Sequence, residues 1–175
     1  VNVLADHTGN LTGGTGNDAF VFSDGVQLTG TLDGQAGTDT VNASALSTSL
    51  TFDLTSSTAD GFSGTETSLL AGAGTFAGVD SIRGGTAADQ INGLDVDSTW
   101  EIDGTDTYED DMMRILAFSL LETLNGGSMK DDFNVTGFRS ATLNGGAGDD
   151  LLNIAANGAF LNGPFDGGTG TDSVS

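Results

Sequence analysis

The sequence predicts an all-β fold: a right-handed parallel β-solenoid, β-helix or β-roll-like, with coils of about 20 residues. Three observations predict it. A skeleton of apolar residue, spacer, Gly-Gly-x-Gly-x-Asp, spacer and apolar residue recurs six times, with its first glycine at Gly13, Gly34, Gly84, Gly126, Gly145 and Gly167. Two apolar columns flank it: Leu11, Leu32, Ile82, Leu124, Leu143 and Phe165 before the glycines, then Phe20, Val41, Ile91, Phe133, Leu152 and Val174 after the aspartate. Successive copies start 21, 50, 42, 19 and 22 residues apart, so 42 reads as two coils and 50 as two coils plus an excess.

Along the chain, Val1 and Val3 alternate with polar residues, and Gly9-Asn10 signals a turn, so the first ten residues read as a strand entering the first copy. After each glycine turn comes a short strand whose side chains alternate between faces. Phe20 with Phe22, Val41 with Ala43, Phe133 with Val135 and Leu152 with Ile154 then share one interior face, whereas Ile91 pairs only with Gly93. An insertion is expected within residues 52–80, where Asp60 to Glu66 and Gly72-Ala73-Gly74 carry turn signals. The coil without a good motif is expected at Asp103-Gly104-Thr105-Asp106. Tyr108 to Thr123 lacks glycine and is dense in Met, Ile, Leu and Phe; a strand is favoured there, with Phe118 and Leu120 on one face, over a short amphipathic helix. The whole chain, 1–175, reads as a single segment and as a fragment or repeat unit of a larger protein.

Composition narrows the partners. Asp plus Glu number 25 against four Lys plus Arg, a formal net charge of -21, which opposes nucleic acid and anionic membranes and favours cations. The 28 glycines with a single proline exclude collagen, and their periodicity sets them apart from a flexible linker. Without cysteine there is no disulfide or thiolate chemistry. No apolar run approaches the ~20 residues of a membrane span. The chain starts at Val1, so the lack of a leader does not argue against secretion.

Glycine turns closed by an aspartate point to calcium. Glycine lets the backbone take positive φ and fold carbonyls inward, while the carboxylate supplies a hard anionic oxygen. Calcium takes roughly six to eight oxygens, so two stacked turns must share an ion. The competing reading is a calcium-free corner whose aspartate accepts hydrogen bonds from nearby backbone N–H groups. These residues resemble the nonapeptide repeats of the RTX family, the hemolysin-type calcium-binding repeats also found in repeat regions of large bacterial surface adhesins. Gly13 to Val21, Gly145 to Asn153 and Gly167 to Ser175 match that pattern fully. The resemblance implies calcium ligation by Asp18, Asp39, Asp150 and Asp172, with lesser claims for Asp89 and Asp131 and a secondary one for Asp149. Two departures matter. Each nonapeptide is followed by a dozen unrelated residues, which suggests a wider coil with motif turns on one edge only. Gln35 replaces a second glycine, and Ala87 and Met129 replace third ones, where a side chain would close the turn.

No catalytic set can be assembled. The single histidine, His7, stands without cysteine or a second histidine for a soft metal, and reads as a surface or strand residue. Arg83, Arg114, Lys130 and Arg139 are the whole supply of bases for a β-helix polysaccharide lyase, and read equally as solvent-facing or locally paired charge. The triplets beginning at Asn10, Asn42 and Asn134 fit the glycosylation acceptor pattern, as chance allows in a chain rich in Asn, Ser and Thr. The function expected is therefore non-enzymatic: a structural or adhesive segment of an extracellular or cell-surface bacterial protein. Its partners would be neighbouring repeats or further copies head to tail, and surface glycans or matrix. The alternatives are a calcium-dependent secretion or folding module of an exported enzyme, and the lyase.

Overall fold

The computed structural model describes residues 1–155 and 157–175, with the backbone alone at 72 and 73. The strands are short and there is no helix among these residues. In chain order they are β1 (Asn2–Val3), β2 (His7–Thr8), β3 (Leu11–Gly14), β4 (Ala19–Phe22), β5 (Leu28–Gln35), β6 (Thr40–Asn42), β7 (Thr51–Thr58), β8 (Gly61–Thr65), β9 (Leu70–Val79), β10 (Ser81–Arg83) and β11 (Gln90–Asn92). The second half holds β12 (Ser98–Ile102), β13 (Thr107–Glu109), β14 (Ile115–Ser119), β15 (Thr123–Asn125), β16 (Asp131–Val135), β17 (Phe138–Arg139), β18 (Thr142–Asn144), β19 (Leu151–Ile154), β20 (Phe160–Leu161), β21 (Phe165–Asp166) and β22 (Ser173–Val174).

They form two ten-stranded sheets and a separate two-stranded one, in which β17 pairs parallel with β20. The first runs β1-β4-β6-β10-β14-β13-β12-β16-β19-β22; the second runs β2-β5-β9-β8-β7-β11-β15-β18-β21, with β3 beside β5. Most neighbours are parallel and in register, as at Leu124↔Leu143↔Phe165 and Trp100↔Phe133↔Leu152↔Val174. Many strands place one apolar residue between two half-exposed polar ones, the pattern of Thr123-Leu124-Asn125 and Thr142-Leu143-Asn144. Alternation sends the middle residue inward, where it meets its counterpart one strand away and the facing sheet. Phe20, Phe22, Val41, Ala43, Phe133, Val135 and Leu152 are all buried as the alternation predicts, and Ile154 is half-buried.

The sheets are mixed, not purely parallel. β8 pairs antiparallel with both β7 and β9, and β13 with both β12 and β14. Each is the middle strand of an up-down-up meander whose outer strands rejoin the parallel stack. Residues 52–80, where an insertion is expected, thus supply strands to the second sheet. Gly72-Ala73-Gly74, read as a turn, lies inside β9, at an irregular register opposite Thr29 to Thr31 with Gly74 at φ 62°. Asp103 to Asp106, where a motif-less turn is expected, is the turn of the β12–β13 hairpin, and the chain passes between the sheets without a motif at residues 93–97 instead, between β11 and β12. Residues 108–123 contain the strands expected, but Leu116 and Phe118 form the buried face while Leu120 is exposed at φ 55°.

The two meanders meet through aromatic rings. Tyr108 of β13 lies 5.7 Å from Phe62 of β8 and 4.7 Å from Trp100 of β12, and Trp100 stacks on Phe133 at 5.5 Å. All four of these rings have negligible exposure.

Candidate functional site

The corners between sheets hold the acidic residues. Where a strand ends, the parallel ladder breaks, and the N–H of the aspartate that opens the next strand would be left buried without a partner. A carboxylate just ahead of the neighbouring strand accepts it. Asp18 N–H donates to Asp39 Oδ1 at 2.7 Å, and Asp39 N–H to Asp80 Oδ2 at 2.8 Å. Farther along, Asp131 N–H donates to Asp150 Oδ1 at 2.8 Å and Asp150 N–H to Asp172 Oδ1 at 3.0 Å. Asp18 with Asp39, and Asp150 with Asp172, are therefore neighbours in two separate groups along one edge. Asp149 faces outward and accepts the Thr171 N–H at 2.8 Å.

The third motif copy departs from that edge. Its preceding strand, β10, belongs to the first sheet and its following strand, β11, to the second, the reverse of the other five. The expectation of motif turns on one edge only is thus corrected: Asp89 lies on the opposite edge, accepting the Leu50 N–H at 2.7 Å and pairing its own N–H with Glu122 Oε2 at 2.9 Å. The β7–β9 meander passes from the second sheet to the first through Asp80, so the Gly84 turn falls on the return crossing.

Within every copy the carboxylate folds over the first glycine. A Cβ at that position would lie 2.7, 2.6, 2.9, 2.2, 2.1 or 2.4 Å from the Oδ2 of Asp18, Asp39, Asp89, Asp131, Asp150 or Asp172. The first glycine thus provides room and needs no positive φ, contrary to the conformational reason the sequence suggests. Positive φ belongs to the second position, as at Gly146 (103°), and to the fourth, as at Gly148 (131°); Gln35 adopts it at 69° with its N–H on Asp33 Oδ1, so this replacement does not close the turn.

That second position divides the copies in two. In the third and fourth copies Gly85 and Gly127 point their N–H groups at the carboxylate, reaching Asp89 Oδ2 at 2.5 Å and Asp131 Oδ2 at 2.8 Å. In the copies with positive φ there, no such bond forms. Asp39 Oδ2 and Asp150 Oδ2 are consequently buried without any hydrogen-bond partner. The two unpartnered carboxylate oxygens, on Asp39 and Asp150, suit a hard cation, although no group of three or more His, Cys, Asp or Glu gathers to hold a metal among the described residues. Burial pushes the carboxyls of Asp80, Asp89, Asp131 and Asp150 above their ordinary value, and at Asp150 the neighbouring Asp172, Asp132 and Asp149 add to the rise.

No protein-family model, curated protein or solved structure matches this chain.

The basic residues are mostly engaged. Arg139 Nη2 lies 3.1 Å from buried Asp106 and donates to Leu121 O at 2.6 Å; Lys130 pairs with Asp132; Arg114 bonds to Ser57 beside Asp110. Arg83 and His7 are exposed. Asp80 and Glu122 act as corner acceptors without any glycine motif to mark them, and at the motif-less corner the acceptor is an aromatic hydroxyl, Tyr108 Oη, 3.0 Å from the Leu94 N–H.

Proposed function

We propose that the chain is a structural segment, a right-handed parallel β-solenoid with two inserted meanders, serving as a stiff spacer or adhesive stalk of an extracellular or cell-surface protein. The observation that carries this reading is the corner ladder. Each coil satisfies the buried N–H groups of its neighbour, so cohesion passes from coil to coil along one axis, as repeat architectures require. The right hand follows from the strong preference of parallel crossover connections. Further coils or copies stacked head to tail would extend the same ladder, and surface glycans or matrix are the proposed contacts.

Calcium is proposed at the turns of Asp18, Asp39, Asp150 and Asp172. The unpartnered oxygens of Asp39 and Asp150 support it, and so does the clustering of negative charge beside Asp150. When bound, the ion would supply positive charge where the fold provides no N–H. In the Asp89 and Asp131 turns the second-position N–H already fills that role. Sites offering so few carboxylates fit the weak binding, ~10⁻⁴–10⁻³ M, of extracellular calcium modules.

Melting in calcium against EGTA tests this reading, with Asp150→Asn and Asp131→Asn as variants. Calcium should raise the melting temperature of the wild type in a saturable way. Asp150→Asn should lose part of that rise, whereas Asp131→Asn should melt lower in EGTA and keep the rise. Identical melting in calcium and EGTA would remove calcium from the proposal and leave the hydrogen-bonded stack.

A further inference from the structure

Both departures from the repeat converge on one place. A cleft of about 630 Å³ opens between β7 of the first meander, the 93–96 turn and the β13–β14 loop of the second. Departures from a regular repeat that meet at one surface are candidates for function, because broken local rules tend to mark it.

The cleft contains a built cation. Asp110, nearly fully buried, accepts the N–H groups of Met112 and Arg114, both at 2.9 Å, together with the Ser57 hydroxyl. Met113 between them is held at φ 59°, a conformation costly for a residue with a side chain. Arg114 Nη1 donates to Ser57 O at 3.0 Å and Ser57 Oγ at 2.8 Å. Its Nη2 and Nε have no acceptor among the described residues, and its side chain is 34% exposed. The loop thus spends strain and a buried carboxylate on presenting one edge of a guanidinium, the edge that pairs bidentately with a carboxylate. Around it stand the exposed carboxylates of Asp95 and Asp111 and the apolar side chains of Leu94 and Val96.

We propose that this cleft binds a short zwitterionic peptide. One carboxylate pairs with Arg114, the ammonium group is held by Asp95 and Asp111, and an apolar side chain rests on Leu94 and Val96. Charge decides the class. A protein of net charge -21 repels a ligand that is only anionic, and a ligand that is only cationic gains nothing from the guanidinium. A ligand carrying both charges can pair with the free edge of the Arg114 guanidinium and with the exposed carboxylates together, and the volume lies in the range of small-molecule sites.

The probe is the dipeptide alanyl-leucine, compared with its N-acetylated and C-amidated forms by saturation-transfer NMR and calorimetry on the intact chain. The free dipeptide should bind at least tenfold tighter than either blocked form, a difference of about 1.4 kcal/mol. Arg114→Gln should abolish binding and Asp111→Asn should weaken it. Ser56→Trp, on an exposed wall, should also abolish it by filling the cleft while Arg114 stays in place, which keeps the test decisive if Arg114→Gln fails to fold. Equal binding of the N-acetylated form, tighter binding by Asp111→Asn, undiminished binding by Ser56→Trp, or no binding of the free dipeptide would overturn the proposal. Calcium dependence plays no part in it, so it stands or falls apart from the melting experiment.

Discussion

Single glycines carry opposite weights in this fold. A Cβ on Gly145 would sit 2.1 Å from Asp150 Oδ2, so Gly145→Ala must push the carboxylate off the Asp131 N–H it receives at 2.8 Å. Leaving that N–H unpaired in the interior costs about 1–3 kcal/mol, before any strain in the turn. Gly16 belongs to an equally good motif, yet a Cβ there would meet nothing within 4 Å and its backbone is not left-handed. Gly16→Ala should stabilise by roughly 0.5 kcal/mol through the unfolded state alone. Urea unfolding midpoints of the two variants at fixed calcium check the contrast; equal effects would mean that the carboxylate does not lie over Gly145. The sequence marks both simply as motif glycines, since the distinction arises only when the Asp150 side chain, five residues after Gly145, folds back over it.

The elements legible in the sequence are those that repeat. Leu124, Leu143 and the half-buried Phe165 form one inward-facing column because period-two alternation and a constant distance to the glycine leave no other face for them. β8 and β13 were not legible as antiparallel strands. Gly61-Phe62-Ser63-Gly64-Thr65 and Thr107-Tyr108-Glu109 alternate as parallel strands do, and only tertiary pairing sets the direction. The candidate aspartates were legible as corner residues, but not which of their oxygens would be satisfied, because that depends on the φ of the second motif position. β13 also does something no motif announces: Tyr108 reaches across the core and accepts the Leu94 N–H at 3.0 Å in the corner that lacks an aspartate. Burial raises the phenol far above its ordinary value, so it stays neutral. Tyr108→Phe keeps the rings against Trp100 and Phe62 and removes only the acceptor, so it should cost about 1–2 kcal/mol. Amide exchange at Leu94 should accelerate with it. Unchanged protection there would show that the N–H has another partner.

At the scale of the whole molecule, charge opposes folding. The net charge is -21, and Asp80, Asp89, Asp131 and Asp150 are held above their ordinary value of 3.8 chiefly by burial. A carboxyl whose folded pKa is raised binds its proton more tightly in the folded state than in the unfolded one. Folding then takes up protons, and stability is greatest below 3.8 and falls as pH rises through the raised values. Exposed Asp24 shifts the other way, lowered first by the backbone N–H of Ser47, but lying in solvent it weighs little against four carboxyls inside the corners. Without calcium, the melting temperature should therefore rise as pH is lowered from neutrality towards 3.8. Relief of general self-repulsion acts in the same direction and would be mimicked by salt, which screens exposed charges over about 10 Å at 0.1 M but reaches buried ones poorly. Repeating the titration at high salt separates the two: the part that survives belongs to the corners. Asp131→Asn should reduce that surviving part, since the amide has no proton to gain. A melting temperature that falls on mild acidification would mean that the corner carboxylates stabilise the stack as anions, and that the N–H groups they receive outweigh their burial.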